Sequence, residues 1–446
     1  MNIALINPPR SPHNGILTHA CEEAKQFIHK KLIGPPLGLL TIAANLKDHD
    51  ISLLEMKGEY DLVPDSPPPA QMVREFLERT RPQVVGVTFI ASEFPLGLEI
   101  LRTVKEFNPD IVTVAGGLHA TLCPQDFRDP SVDIVCLGPG AGSFRQIARA
   151  IEMKKGFDHI GGILVRLGAE LVATKAPAPI LDPAGKDFIP PDRTLLERWR
   201  STYRVGKAPG PSTYVFTSLG CPYSCSFCSI WPQFSGRYFQ REVESVIEEL
   251  KGLDGYDVVR FSDANTLVNL DFARRLFDRI EKEGIKKTFI MDIRVDTAAD
   301  NPELIEKLAA GGLKVVIAGF ESIRQEELKR YNKQLKAEQI DKAIKIFHDN
   351  GIMLRGNYIV PPSYNDEDFN ALADYAARHR VAFAGYTILT PFPGTSFYRE
   401  TQAEIVDHDL AKYNMFNAVT RTTLPLPEFY RKVSDLWLIR RGTDTI

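Results

Sequence analysis

The stretch Leu219–Trp231 reads L-G-C-P-Y-S-C-S-F-C-S-I-W and holds three of the six cysteines of a 446-residue chain. Cys221, Cys225 and Cys228 stand there in a C-x3-C-x2-C spacing. Three thiolates this close suit a 4Fe-4S cluster, because one loop wraps three corners of the cube and leaves the fourth iron open to a ligand. A structural zinc site is the main rival. It normally closes four ligands from paired knuckles, and no second C-x2-C exists in the chain. Disulfides fit less well, since the N-terminus M-N-I-A-L-I-N-P-P shows no signal-peptide pattern and Cys21, Cys123 and Cys136 are scattered. Those three read as ordinary buried thiols.

Outward from this loop, C-P-Y-S-C-S-F-C, with the aromatic Phe227 just before the third cysteine, resembles the cluster loop of the radical S-adenosylmethionine (SAM) superfamily. The resemblance implies that Cys221, Cys225 and Cys228 hold a 4Fe-4S cluster whose open iron binds the methionine end of SAM. It also implies cleavage of SAM to methionine and a 5'-deoxyadenosyl radical, with electrons from an external donor such as flavodoxin or ferredoxin.

Downstream, apolar strand patterns at 212–218, 256–261, 287–293, 313–318, 352–360 and 382–389 alternate with helical runs, which predicts a partial (β/α)6 TIM-type barrel over 211–400. Its working face should be the carboxyl ends of the strands. Asp263 and Asn265 follow the second strand, Arg294 the third, and G-F-E-S, Gly319 to Ser322, the fourth. That run resembles the family's G-x-E-S motif, which implies that Glu321 meets the ribose hydroxyls of SAM, with Ser322, Asp263, Arg294 and Phe227 also at the cofactor. The alternatives are local: Arg294 pairing with Asp296 or Asp292, and Asp263 capping the helix that follows.

Upstream, five strand patterns at 2–7, 51–56, 84–90, 111–115 and 132–137 alternate with helices, which predicts a doubly wound, Rossmann-like parallel sheet over 1–153. Ligands of such sheets bind beyond the carboxyl ends of the strands. Pro8-Pro9, Ala91-Ser92-Glu93, G-G-L-H-A-T from Gly116 to Thr121, and Gly138-Pro139-Gly140 fall there. With P-P-L-G-L at Pro35 to Leu39, the set resembles the cobalamin-binding domain that precedes the SAM domain in one radical SAM subfamily. The resemblance implies corrin contacts at Pro8, Ser92, Gly116, Gly117, His119, Gly138 and Gly140, although G-P-G-A stands where the subfamily has G-E-G-E. His13 lies in S-P-H-N-G rather than D-x-H-x-x-G. The cobalamin is therefore expected base-off and without a histidine on cobalt.

The proline-rich segment 154–210 predicts an extended linker with a short hairpin-like stretch at its start. In the tail, 401–446, Phe429, Val433, Leu436 and Trp437 recur at helical spacing. They fit a helix packed on the barrel, or an aromatic face over an apolar substrate or membrane surface.

A formal charge of -3, from 54 basic and 57 acidic residues, supplies no field that recruits nucleic acid. No apolar run reaches the roughly 20 residues that span a bilayer, so a cytoplasmic protein without a transmembrane segment is expected. Both cofactor resemblances on one chain point to a cobalamin-dependent radical SAM C-methyltransferase acting on an unactivated carbon of a small molecule, lipid or peptide. A ring-forming oxidative cyclase resembling the anaerobic magnesium-protoporphyrin ester cyclase is the close alternative, and a non-catalytic cobalamin-binding sensor the distant one. No single catalytic residue stands out.

Overall fold

The computed structural model describes residues 1–28, 34–176, 188–205, 210–379, 381 and 384–439. The chain divides into two compact units, one of Met1–Pro12 with Pro35–Tyr203, the other of His13–Gly34 with Arg204–Ile446. Both are α/β.

The first unit is built on β1 (Asn2–Asn7), β2 (Asp50–Glu55), β3 (Val84–Thr88), β4 (Val112–Gly116), β5 (Ile134–Cys136), β6 (Ile163–Leu167) and β7 (Glu170–Ala173), in the order β2-β1-β3-β4-β5-β6-β7. The first five are parallel. Their centres are continuous apolar runs because helices cover both faces of the sheet. Ile6, Val85, Val87 and Ala115 are buried with Phe76, Leu101 and Phe127 of the covering segments. The hairpin-like stretch of the expected linker is part of this sheet: β6 and β7 add antiparallel beyond β5, turning at Gly168 (φ +63°). Residues 177–187 and 206–209 of the linker lie outside the described residues.

The second unit contains β8 (Ser212–Val215), β9 (Ser218–Gly220), β10 (Tyr238–Gln240), β11 (Val258–Phe261), β12 (Thr288–Asp292), β13 (Leu313–Glu321), β14 (Met353–Val360) and β15 (Gly385–Ile388). Six of them form one parallel sheet in the order β15-β14-β13-β12-β11-β8, with helices between, as in a partial barrel. Ala382 and Phe383, where the sixth strand was expected to begin, lie outside the described residues.

The first strand departs from expectation. It ends at Val215 rather than Ser218, because the Thr217 and Ser218 amides donate to Asp263 instead of continuing the ladder. The chain turns there, and β9 pairs antiparallel with β10. The tail forms the helix Leu426–Leu436, whose Phe429 meets Phe369 edge-on at 5.8 Å, while Trp437 just beyond it meets Tyr386 at 5.8 Å. Packing is thus the observed role of its apolar stripe. The basic residues after it lie outside the described residues.

Sequence periodicity did not anticipate that His13 to Ile28 leaves the first sheet and joins this second core. Ile16, Ala20, Ala24 and Ile28 are buried in it, and His19 stacks on Tyr430 at 4.9 Å. Cys21 is exposed at the start of the short helix Glu22–Lys25, so one of the three scattered thiols is not a core residue. Among the described residues no helix is long and apolar enough to cross a membrane.

Candidate functional site

In the second unit the cysteine loop leaves β9 and returns through β10. Gly220, just before Cys221, has φ +81°, and a Cβ there would lie 2.0 Å from the Arg237 carbonyl oxygen, so only glycine lets the two arms close. The loop is fastened to the segment after β13: Ser226 N–H donates to Tyr331 O at 2.9 Å, and Asn332 Nδ2 donates to Ser224 O at 3.0 Å. Phe227 meets Tyr331 edge-on at 5.6 Å, which places it as packing for the loop.

Cys225 is buried, and Cys221 and Cys228 are half-buried. Burial pushes the Cys225 thiol up against the pull of Lys333 and Arg294, and pushes that of Cys228 up to about 11. Thiols held this way keep their protons until iron displaces them. The Ile230 amide already points at Cys228 Sγ, 3.5 Å away, as amides around cluster sulfurs do.

Glu321 ends β13 at φ +62°, a left-handed conformation uncommon for a residue with a side chain, beside a register break against β14. Its Oε1 accepts from Lys333 Nζ at 2.6 Å in a buried ion pair. Lys333 was not singled out in the sequence. It is the last residue of E-L-K-R-Y-N-K, where an isolated lysine carries no spacing signal, and only the fold brings it to Glu321 and Cys225.

Arg294 and Asp263 are near the loop, but each has protein partners. The Arg294 guanidinium pairs with Asp296 at 2.6 Å, donates to Lys333 O at 2.7 Å and lies over the Tyr223 ring at 3.9 Å. Asp263, its carboxyl pushed up to about 6 by burial, accepts from Thr217 N, Thr217 Oγ1 and Ser218 N at 2.6–2.9 Å rather than capping the next helix. Ser322 Oγ donates to Glu327 at 2.5 Å and accepts from Arg324 N.

By contrast, Asn265 Nδ2 and Thr266 Oγ1, just beyond β11, are buried with no hydrogen-bond partner among the described residues. Buried donors left unpaired cost about 1–3 kcal/mol each, so this end of the sheet is built for a polar ligand. SAM fits it. Beside the loop, a cleft of about 650 Å³ is lined by Tyr223, Leu267, Asp296, Gln334 and Lys336; the cysteines do not line it.

In the first unit the expected residues gather at the strand ends. Pro8 follows β1 and is buried, Ser92 lies buried in the turn Ala91–Glu93, and Gly116 closes β4. A Cβ on Gly138 would meet nothing within 4 Å, and one on Gly116 or Gly140 nothing nearer than 3.8 Å. The Gly138 turn therefore borders open space, while a Cβ on Gly116 or Gly140 would stand in ordinary contact with Cys136, and a bulky planar ligand laid on backbone fits beside Gly138. Gly117, at φ +95°, instead presses against the Phe89 backbone and shapes the turn. His119, two residues beyond Gly117, is 3% exposed, with its ring against Phe94 and Phe127.

Sequence spacing also missed a buried ionic group at the ends of β1 to β3. Asn7 donates to Glu55, Lys57 pairs with Glu93 at 2.7 Å, and Arg10 holds Asp61 through two nitrogens. Burial pushes the Glu55 carboxyl up to about 7.

Comparison with known proteins agrees with both halves. Residues 215–376 match the model of the radical SAM superfamily, and residues 28–148 that of the B12 binding domain. The chain joins a B12 binding domain to a radical SAM domain. Its cofactors are a 4Fe-4S cluster, SAM and cobalamin. The hopanoid C-3 methylase of Methylococcus capsulatus is 25% identical over 402 residues, 89% of this chain and 74% of the methylase. The anaerobic magnesium-protoporphyrin IX monomethyl ester cyclase of Rubrivivax gelatinosus is 28% identical over 359 residues, 78% of this chain and 64% of the cyclase. Among solved structures, the radical SAM methyltransferase TsrM from Kitasatospora setae superposes with a TM-score of 0.68 at 18% identity, over 97% of this chain and 81% of TsrM. That likeness is one of fold.

Proposed function

We propose that the enzyme transfers a methyl group to an unactivated carbon of a small molecule or lipid. The observation that carries this reading is the presence on one chain of a three-cysteine loop, of buried donors without a partner among the described residues, and of a glycine turn at Gly138 that borders open space. Similarity to a hopanoid methylase along 89% of the chain supports it. When bound, the cluster and SAM supply hydrogen abstraction from carbon, and cobalamin supplies a transferable methyl group.

The residues divide the work. Cys221, Cys225 and Cys228 hold three irons, Glu321 accepts the ribose hydroxyls, and Asn265 and Thr266 donate to SAM. Lys333 holds the Glu321 side chain in place through its 2.6 Å ion pair. Arg294 and Asp263 act through the loop: the first clamps Tyr223 and the post-β13 segment, the second folds the turn ahead of Cys221. Pro8, Ser92, Gly116, Gly138 and Gly140 border the corrin, and Gly117 sets their turn. His13, 3.9 Å from Asp409, stands in S-P-H-N-G rather than D-x-H-x-x-G and is not taken as a cobalt ligand. The cobalamin is bound base-off and histidine-off, and reducing electrons come from an external flavodoxin or ferredoxin.

The test is anaerobic incubation of reconstituted enzyme with methyl-labelled SAM, reductant and host extract. One labelled methyl should appear in a lipid or small-molecule product, together with 5'-deoxyadenosine and S-adenosylhomocysteine. A product with a new ring or oxygen and no label would replace this reading with that of the cyclase relative. Absence of 5'-deoxyadenosine would point to a sensor.

A further inference from the structure

Among the described residues, one mixed set of metal-ligating groups comes together in the first unit. His119, Cys123 and Asp126 follow β4 at spacings of four and three residues: His119 on the helix Leu118–Leu122, Cys123 at the non-helical junction after it, and Asp126 on the 3-10 turn Pro124–Phe127. The imidazole nitrogen, thiol sulfur and carboxylate oxygen all lie within 4.8 Å of one another. His119 and Cys123 are each 3% exposed, and the Asp126 side chain reaches the rim.

A plain histidine–aspartate hydrogen bond does not account for the geometry. His119 Nε2 is 3.0 Å from Asp126 Oδ2, yet this buried nitrogen has no hydrogen-bond partner among the described residues, because the approach lies off the ring N–H direction. Three groups able to ligate a metal instead lie within 4.8 Å of one another. Bonds of about 2.0–2.3 Å to tetrahedral zinc place nitrogen, sulfur and oxygen ligands about 3.3–3.8 Å apart, within the observed spread. The thiol disfavours magnesium and calcium, which take oxygen ligands. A single cysteine does not hold an iron–sulfur cluster. The rings of Phe94 and Phe127, with centroids 4.8 and 5.8 Å from the imidazole, keep its plane fixed.

We propose that His119, Cys123 and Asp126 bind one zinc ion, with water in the fourth position, and that the ion pins the segment leaving the Gly116-Gly117 turn. The site stands independently of the proposed reaction.

The experiment uses the full chain carrying Cys221→Ala, Cys225→Ala and Cys228→Ala, so that the cluster cysteines take no metal, purified without cobalamin. Zinc is titrated against a chromophoric chelator. One zinc per chain should bind, and added Cys123→Ser or Asp126→Asn should weaken it by more than about tenfold with unchanged circular dichroism. Cobalt(II) in place of zinc should show the intense visible bands of a tetrahedral site, with a thiolate charge-transfer band that Cys123→Ser removes. Should the triple variant fail to fold, total zinc in the otherwise unaltered apo-chain is compared with and without Cys123→Ser, and a drop of one equivalent is expected. A chain that takes up no zinc, or zinc binding indifferent to both substitutions, overturns the site.

Discussion

Glu321 occupies a strained backbone position and shares a buried ion pair with Lys333, with both side chains about one-tenth exposed. Removing one partner of such a pair leaves the other charge uncompensated, at about 3–5 kcal/mol. Lys333→Met should therefore lower the denaturant midpoint and weaken SAM binding, measured by calorimetry on the reconstituted enzyme, more than Lys333→Arg does. Cys225→Ala should reduce bound iron and abolish 5'-deoxyadenosine formation; retained formation would remove Cys225 from the cluster. Glu55 in the first unit gives a pH signature. Burial raises its carboxyl from an ordinary 4.5 to about 7, so the folded state holds the proton more tightly than the unfolded chain. Its stabilising contribution is full below about pH 4.5 and is lost as pH rises through about 7. Glu55→Gln keeps the contacts of the neutral acid and should flatten the fall in stability across that window by up to about 3 kcal/mol, read from unfolding midpoints at pH 5 and 7.5.

At the scale of elements, β9 and β10 form a two-stranded clasp around the cysteine loop, and its closing point is Gly220. Gly220→Ala forces a side chain into both a positive φ and the Arg237 carbonyl. The expected outcome is loss of bound iron with far-ultraviolet circular dichroism nearly unchanged, because the six-stranded sheet does not depend on that ribbon; full iron loading would show that the arms can part without cost. The strands themselves were legible, since parallel strands covered on both faces read as apolar runs. The clasp was not: β9 and β10 are three residues each, and the acceptor that ends the first strand, Asp263, lies 46 residues after Thr217.

In the whole molecule, the chain contributes to one core, leaves it after Pro12 for the other, and returns at Pro35. Ile16 is fully buried among the residues of the second core. Ile16→Ala should cost that unit about 2–4 kcal/mol, seen as earlier proteolytic cleavage and a lower midpoint, with the cobalamin spectrum of the holoenzyme preserved. An unchanged midpoint would mean that the segment is a passive passenger. Four buried apolar positions spread over sixteen residues gave no clue to which core would receive them, because amphipathic periodicity states that a face is buried and not against what.

The sequence by itself determined the three-cysteine cluster loop, through family resemblance the cofactor classes, and the alternation of the main parallel strands with helices. Cluster ligands must be supplied by one short loop, and repeated strand and helix lengths leave a periodic trace. Tertiary structure alone decided which polar side chains still have bonding capacity. It gave Asp263 and Arg294 protein partners, brought Lys333 to Glu321, left Asn265 Nδ2 and Thr266 Oγ1 without a hydrogen-bond partner among the described residues, and drew His119, Cys123 and Asp126 together under aromatic cover. Whether a carboxylate or an amide remains free depends on partners tens of residues away, which local spacing does not encode.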